Sequence, residues 1–296
     1  MPATDLKPWL KSTQEQVDAA LRSFLPRENA APKTIHKAMR YSIFAGGKRL
    51  RPVLCLAAAE ACGGDVSEAL APACAVEVMH TYSLVHDDLP CMDDDDLRRG
   101  RPTSHKVFGE GMAVLTGDAL LTEAFAILAR TPATKRYSVG DYVREFAETG
   151  GSRKLIGGQV LDLEGEGKQL NKAQLIRIHE AKTAALLTCS VRLGAMTANS
   201  TPRKLEALTE FGYNLGLAFQ VIDDILDVTQ TTEMLGKTAG KDEAVDKSTY
   251  PAILGLDKSR KEAARLTRKA LKSLEVFGKK GSRLEQIARY LLEREY

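Results

Sequence analysis

The stretch of sequence that decides the fold is Leu215-Gly-Leu-Ala-Phe-Gln-Val-Ile-Asp-Asp-Ile-Leu-Asp-Val228. Wound as a helix, it is apolar on almost every side, and a few carboxylates are the main exception. A helix on a protein surface keeps its apolar residues on one face, whereas a helix that is apolar all round is buried among others. The stretch therefore predicts the inner helix of an all-α bundle.

Similar Ala- and Leu-rich segments with helical spacing fill most of the chain, and alternating strand patterns are nearly absent. The clearest segments are 69–85, 114–129, 175–198, 205–228 and 258–274. Glycine and proline mark the breaks between them. Because the 296 residues contain neither an internal repeat nor a low-complexity linker, we predict a single all-α domain, 1–296, of roughly ten or more helices.

Composition excludes several classes of protein. With 44% hydrophobic residues and a formal charge of +3, the chain resembles neither a disordered protein nor an obvious nucleic-acid binder. Uninterrupted apolar runs fall short of the ~20 residues of a membrane helix, and residues 1–25 read as an amphipathic helix rather than a signal sequence. The five cysteines form no C-x-x-C pair, so neither disulfides nor zinc is indicated. We expect a cytoplasmic protein without stable membrane association.

A first acidic cluster ends the helical stretch His80-Thr-Tyr-Ser-Leu-Val-His-Asp-Asp-Leu-Pro-Cys-Met-Asp93. At about 100° per residue, His80, Ser83 and Asp87 share one face of the helix. Pro90 is expected to end or kink that helix and to turn Asp93 back towards the same region.

A second acidic cluster lies inside the buried helix. Gln220, Asp223, Asp224 and Asp227 stand at i, i+3, i+4 and i+7, so one stripe carries all of them. Buried carboxylates without a cationic partner are too costly to persist as ions. An oxygen-only ligand set favours Mg²⁺ before Ca²⁺ or Mn²⁺, and a metal held by few carboxylates usually grips a substrate diphosphate.

Basic residues gather in separate segments. Gly46-Gly-Lys-Arg-Leu-Arg-Pro52 places cations after a flexible turn, which suits an anion bound without metal, although it is not a Walker loop. Leu97-Arg-Arg-Gly-Arg101 follows the first acidic cluster directly. Each segment taken alone also fits a solvated surface run.

Together these segments resemble the trans-isoprenyl diphosphate synthases. Residues 46–52 are similar to that family's G-G-K-R-x-R-P element, 87–93 to its first aspartate-rich motif and 223–227 to its second, D-D-x-x-D. The resemblance spans roughly residues 37–254. It implies a helical bundle around a deep central cavity, with the two acidic clusters facing each other across the mouth, and a homodimer.

The resemblance also implies a role for each matching residue. Metal ligands for about three Mg²⁺ ions, or Mn²⁺ in their place, would be Asp87, Asp88, Asp93, Asp223, Asp224 and Asp227. The allylic diphosphate would be bound by Arg98, Lys182 and Lys237, with Thr183 and Gln220 beside the allylic cation, so that Lys182, Thr183 and Gln220 are the catalytic residues. The diphosphate of isopentenyl diphosphate would be bound by Lys48, Arg51, His80 and Arg99.

The implied activity is a prenyltransferase reaction that condenses isopentenyl diphosphate with dimethylallyl or geranyl diphosphate. Tyr82, five positions before Asp87, resembles the residue that stops growth at fifteen carbons in bacterial farnesyl diphosphate synthases, although helical phase makes Ser83 an alternative floor. We therefore expect farnesyl diphosphate as the product, with geranylgeranyl diphosphate as the alternative. A class I terpene cyclase, a non-catalytic synthase subunit and a Ca²⁺-binding bundle each leave part of the pattern unexplained.

Overall fold

The computed structural model describes residues 6–229 and 248–292, and most of them are helical, as the sequence predicts. The first helices are α1 (Leu6–Phe24), α2 (Lys33–Ile43), α3 (Leu50–Cys62), α4 (Leu70–Asp87), α5 (Ser104–Phe108), α6 (Glu110–Leu128) and α7 (Val139–Gly150). The remaining ones are α8 (Leu155–Gly165), α9 (Lys172–His179), α10 (Ala185–Thr197), α11 (Pro202–Thr229), α12 (Tyr250–Leu254), α13 (Leu256–Ser273) and α14 (Ser282–Leu292). Between α4 and α5, the strands β1 (Leu97–Arg98) and β2 (Arg101–Pro102) form a short hairpin.

The helices α4 and α11 are the centres of two hydrophobic clusters. Helix α4 packs against α6, α3 and α10, and α11 packs against α10 and α13. The consecutive residues Leu215, Gly216, Leu217 and Ala218 are all buried, and at about 100° per residue they cover every side of α11. The stretch 215–228 is therefore an inner helix, as its all-round apolar character predicts.

Local sequence signals set where several helices begin. In α7, the Ser138 hydroxyl accepts the Asp141 N–H, and the Asp141 carboxylate accepts the Ser138 N–H at 2.8 Å. Asn171 and Gln174 cap α9 in the same reciprocal way. Such capping boxes satisfy N–H groups that a helix end would otherwise leave without partners.

The predicted helix over 175–198 is not continuous. Between α9 and α10 the structure has a π-helical turn at Glu180–Ala184, and Lys182 and Thr183 lie within it. Apolar spacing does not reveal such a turn, because the one-residue change in hydrogen-bond register keeps the chain helical.

Helix α6 is long and apolar enough to cross a membrane by length and composition alone. One such helix is weak evidence, because core helices of soluble proteins meet the same criterion. In this bundle α6 packs along α4. It leaves Val114 and Leu115 exposed, as α8 leaves Ile156 and Val160 exposed.

Candidate active site

Two cavities share Lys182 and Thr183 in their walls. The larger, of about 530 Å³, is lined mainly by α4, by the loop that follows α4, and by α8. The smaller, of about 190 Å³, is lined by polar residues of α8 and α11 together with Ser248 and Thr249. Most of the residues that the sequence singles out lie in one of these two walls.

Helix α4 delivers His80, Ser83 and Asp87 to the larger cavity, in agreement with their shared helical face. The helix ends at Asp87, and the chain turns back beyond Pro90, because the Asp93 N–H donates to the Asp87 carbonyl at 2.9 Å. The predicted return of Asp93 to the end of the helix is therefore present.

The carboxylates of this first cluster are crowded and shielded from water. Burial raises the pKa of Asp87 to about 6, with Lys182 acting against the rise and Asp93 adding to it. Asp88 is only 3% exposed. Its Oδ1 atom accepts a hydrogen bond from Arg98 Nε at 2.9 Å and another from Arg98 Nη2. Burial raises the pKa of Asp88, and this bond from Arg98 opposes the rise. Arg98 thus lies against the acids, instead of standing apart from them.

The second acidic cluster divides between two environments. Asp223 and Asp224 line the smaller cavity, and Asp224 accepts from Gln220 Nε2 at 3.2 Å and from the Tyr250 N–H at 2.9 Å. Asp227 is 6% exposed and, within residues 6–229 and 248–292, lines neither cavity. The stripe predicted from the sequence is present, but Asp224 also anchors the start of α12.

The π-helical turn brings the catalytic candidates between the two cavities. Lys182 Nζ donates to Asp162 Oδ2 at 2.7 Å, and the Thr183 hydroxyl donates to Gln220 Oε1 at 3.0 Å. Gly158 on α8 lies so close to the backbone of Lys182 that a Cβ at this position would overlap it. These contacts fix the π turn against both α8 and α11, and π turns are frequent at functional sites.

The predicted binders of the second diphosphate gather beside the first acidic cluster. Arg51 and His80 line the larger cavity, and a guanidinium N–H of Arg99 donates to the Gly46 carbonyl. Burial lowers the pKa of Arg51 to about 10, with Glu77 opposing and Arg99 adding to the fall. Burial, followed by the charge of Arg51, lowers the pKa of His80 well below its ordinary value. Lys48 is exposed in the loop before α3.

Other sequence-based predictions have different outcomes. Lys237, with most of the loop 229–250, lies outside the described residues. Tyr82 and Ser83 both line the larger cavity, so helical phase does not decide which of them forms its floor. The Tyr82 ring meets His86 edge to face at 5.9 Å between centroids.

Glu77 and Arg49 have no role among the site residues that the sequence predicts. Glu77 is 2% exposed and accepts a hydrogen bond from Arg49 Nη1 at 3.0 Å. A signal was available, because Glu77 is a charged residue in an otherwise apolar run and precedes His80 by one helical turn.

The carboxylates fit a hard divalent cation. Asp87 and Asp88 end α4, and Asp93 returns to them. Burial, and after it the charges of Asp93 and Asp88, raises the pKa of Asp87, a cost that a bound cation relieves. The neighbouring acids are engaged differently: Asp94 and Asp96 lie with His105, their ligand atoms within 4.8 Å of one another, and Lys106 pairs with Asp96 at 2.7 Å. Burial and crowding make Asp87 and its neighbours candidate metal ligands, whereas among the described residues only Asp94, Asp96 and His105 bring ligand atoms within 4.8 Å of one another.

Comparison with known proteins agrees with this geometry. The heterodimeric geranylgeranyl pyrophosphate synthase large subunit 1 of Arabidopsis thaliana is 50% identical over 298 residues, covering 98% of this chain and 80% of that protein. A geranylgeranyl pyrophosphate synthase of Capsicum annuum is 52% identical over 270 residues, covering 89% of this chain and 72% of that protein. Among solved structures, a geranyltransferase from Helicobacter pylori complexed with magnesium and isoprenyl diphosphate has a TM-score of 0.83 and 33% identity, covering 98% of this chain and 97% of that one.

The family match runs through nearly every element of the site. Residues 32–290 match the Polyprenyl synthetase family, a range that includes both acidic clusters, the basic loop and the π turn. The fold and the relatives point the same way, so the chain belongs to the polyprenyl synthetase family and is a short-chain trans-prenyltransferase.

Proposed function

We propose that this prenyltransferase condenses isopentenyl diphosphate with allylic diphosphates, starting from dimethylallyl diphosphate and ending at geranylgeranyl diphosphate. The observation that carries the proposal is the position of Lys182 and Thr183 in the walls of both cavities. One wall holds Asp87 with Arg51 and His80, and the other holds Asp223 with Gln220. An allylic diphosphate beside Lys182 would thus contact acids from both clusters.

The acids are proposed to hold Mg²⁺, with Asp87, Asp88 and Asp93 on one side and Asp223 and Asp224 on the other. Bound Mg²⁺ supplies charge neutralisation of the leaving diphosphate, which favours ionisation of the allylic C–O bond. The ion count and the part played by Asp227 and Lys237 belong to the same proposal. If Asp223→Ala retained near-normal turnover at saturating Mg²⁺, the assignment of the second cluster would be wrong.

The side chains have complementary tasks in this scheme. Lys182, and Arg98 after it exchanges Asp88 for phosphate, bind the allylic diphosphate. Thr183 and Gln220 are oriented by their mutual hydrogen bond of 3.0 Å and present oxygen dipoles to the developing cation.

The second substrate is proposed to bind through Lys48, Arg51, His80 and Arg99. Its π bond then attacks the allylic carbon, forming a carbon–carbon bond, and the released diphosphate accepts the proton that is lost. The apolar part of the larger cavity excludes water from the cationic intermediate.

Product length is where our proposal departs from the expectation drawn from the sequence. The two plant relatives that are about half identical are named geranylgeranyl pyrophosphate synthases, which favours a twenty-carbon product over farnesyl diphosphate. Farnesyl diphosphate stays as a second candidate because Tyr82 lies in the cavity wall against His86. A phenol in that position is bulky enough to stop a growing chain.

Incubation with dimethylallyl diphosphate, excess isopentenyl diphosphate and Mg²⁺ tests the proposal. After dephosphorylation, we expect chromatography to show geranylgeraniol. Farnesol as the end product would favour the second candidate, whereas a cyclic hydrocarbon or unreacted substrate would contradict a synthase.

A second experiment asks whether Tyr82 forms the floor of the larger cavity, with Tyr82→Ala as the test and Tyr82→Phe as its matched control. A longer product in the alanine variant alone would assign the floor to Tyr82, and an unchanged length would remove Tyr82 from that role.

We also propose that the protein is a homodimer. Val114, Leu115, Ile156 and Val160 are large apolar side chains exposed on α6 and α8, and such a surface is typical of an interface. The Arabidopsis relative is named as a subunit of a heterodimer, so the partner need not be a second copy. Light scattering of the purified chain would show a monomer if this proposal is wrong.

A further inference from the structure

Glu77 is a buried carboxylate near the basic side of the site, where its charge acts on Arg51 and Arg99. It lies on α4, one helical turn before His80, and is 2% exposed. Its Oε1 atom accepts from Arg49 Nη1 at 3.0 Å, and the Arg49 side chain is itself 3% exposed. A buried charge pair of this kind persists only where further hydrogen bonds satisfy both partners.

Arg49 uses its remaining donors to hold the loop before α3. Its Nε atom donates to Asp18 Oδ1 at 2.8 Å and its Nη2 atom to the Ile43 carbonyl at 2.8 Å. A longer contact of 3.4 Å joins Nη1 to the Gly46 carbonyl. One guanidinium therefore ties α1, the end of α2 and the loop to α4.

The backbone at this point is confined to an uncommon conformation. Arg49 has a φ of +50°, in the left-handed region, directly between Lys48 and the first turn of α3. Non-glycine residues adopt such angles only where their surroundings determine them. The hydrogen bonds of Arg49 with Glu77 and Asp18 hold Arg49 in this conformation. Gln14 Nε2 also donates a hydrogen bond of 2.7 Å to the Lys48 carbonyl.

We propose that Glu77, acting through Arg49, is a positioning residue that holds the loop 46–51 so that Lys48 and Arg51 can bind the diphosphate of isopentenyl diphosphate. The inference rests on the proposed function, because that function assigns Lys48 and Arg51 to this substrate. Glu77 does not touch the substrate in this scheme. Its charge retains Arg49 in the interior, and Arg49 sets the path of the loop.

Steady-state kinetics of Glu77→Gln, with each substrate varied in turn, tests the inference. We expect the KM for isopentenyl diphosphate to rise at least about tenfold, while the KM for the allylic substrate stays within about twofold of the wild type. The matched control is Glu145→Gln, which removes the charge from a partly buried glutamate that also pairs with an arginine, Arg192, at 2.8 Å. Equal rises in both KM values, or a fall in kcat alone, would overturn the inference.

A double variant keeps the test decisive if the single one unfolds. Arg49→Met with Glu77→Leu replaces the buried pair by apolar side chains, a change that often leaves stability intact. We expect this folded variant to show the same selective rise in KM, and a KM for isopentenyl diphosphate within twofold of wild type would overturn the inference. Lys48→Ala distinguishes a failure of the proposed function from a failure of the role given to Glu77. An unchanged KM in that variant contradicts the proposed function, whereas a raised KM there with normal kinetics in the Glu77 variants contradicts only the role of Glu77.

Discussion

The site has an acidic side, formed by Asp87, Asp88 and Asp93, and a basic side, formed by Lys48, Arg51, His80 and Arg99. Burial shifts the pKa of at least one charged group on each side. On the acidic side, burial raises the pKa of Asp87 to about 6. On the basic side, burial lowers the pKa of Arg51 to about 10, although Glu77 opposes the fall. Each side therefore holds an excess of one charge that a ligand of opposite sign would stabilise.

The two sides differ in where their internal counter-charge lies. Arg98, on the acidic side, belongs to a short hairpin and its side chain is 32% exposed. Glu77, on the basic side, belongs to α4 and its side chain is 2% exposed. A partly exposed arginine can exchange a carboxylate for a phosphate, whereas a buried glutamate holds a fixed geometry. In the proposed function, the acidic side would therefore rearrange around metal and diphosphate, whereas the geometry of the basic side is fixed before substrate binds.

Removing a carboxylate from the acidic side has the largest expected effect. Asp87→Asn keeps the size of the side chain but abolishes its charge, so we expect kcat to fall about 10³-fold, as when a group that stabilises transition-state charge is lost. We expect the KM for isopentenyl diphosphate to change little, because its proposed binders lie on the basic side. Single-turnover assays at saturating Mg²⁺ measure the effect. Asp94→Asn, an exposed acid of the same loop, is the control, and equal losses in both variants would contradict the special role of Asp87.

On the basic side, Arg51→Gln is expected to act on binding. If Arg51 binds the diphosphate as proposed, loss of its buried guanidinium raises the KM for isopentenyl diphosphate about 100-fold, with a smaller change in kcat. Initial rates over a range of isopentenyl diphosphate concentrations measure this effect. Arg144→Gln, which alters an exposed arginine paired with Asp141 on α7, should match the wild type. A change confined to the allylic KM would show that the two sides are assigned the wrong way round.

The π turn lies in the walls of both cavities, and Gly158→Ala perturbs it from α8. The added methyl group overlaps the backbone of Lys182, so the turn must shift. We expect kcat to fall about tenfold, because the reaction rate is sensitive to small displacements of the proposed catalytic groups. Gly111→Ala is the matched control, since a Cβ there meets nothing within 4 Å. Normal turnover in Gly158→Ala would show that the position of the π turn does not limit the reaction.

Much of the fold could be predicted because its signals are local. The helix predicted over 69–85 is observed at Leu70–Asp87, and that over 205–228 at Pro202–Thr229. Apolar spacing and the glycine and proline breaks lie within a few residues of the structure they determine. The shared face of His80, Ser83 and Asp87 was predictable for the same reason.

The remaining features of the site depend on contacts between distant segments. The π turn depends on the close approach of Gly158, and Asp224 is anchored by the Tyr250 N–H. Glu77 meets Arg49 across 28 positions of sequence. Single-sequence patterns carry no information about such pairs, so the sequence predicts which acids and bases belong to the site but not which of them pair with each other.

The smallest expected effect concerns stability, and it separates the two sides by its pH dependence. Because the pKa of Asp87 rises from 3.8 to about 6 on folding, the folded protein binds this proton more tightly than the unfolded chain does. Its contribution to stability is present below about pH 4 and is lost as the pH rises through 6. Asp87→Asn should therefore melt a few degrees above the wild type at pH 7, on the order of 1 kcal/mol, and show little difference at pH 4. Mg²⁺ should stabilise the wild type more than this variant.

Arg51→Gln gives the contrasting result, because the pKa of Arg51 is lowered only to about 10 and the group stays charged in both states between pH 4 and 7. Any stabilisation from removing its buried charge is then constant across that range. Thermal unfolding of both variants at pH 4, 5, 6 and 7 measures the difference. A pH-independent gain for Asp87→Asn would mean that the pKa of its carboxyl group is not raised on folding, and relief of an unfavourable charge would no longer be a reason for a cation to bind at Asp87.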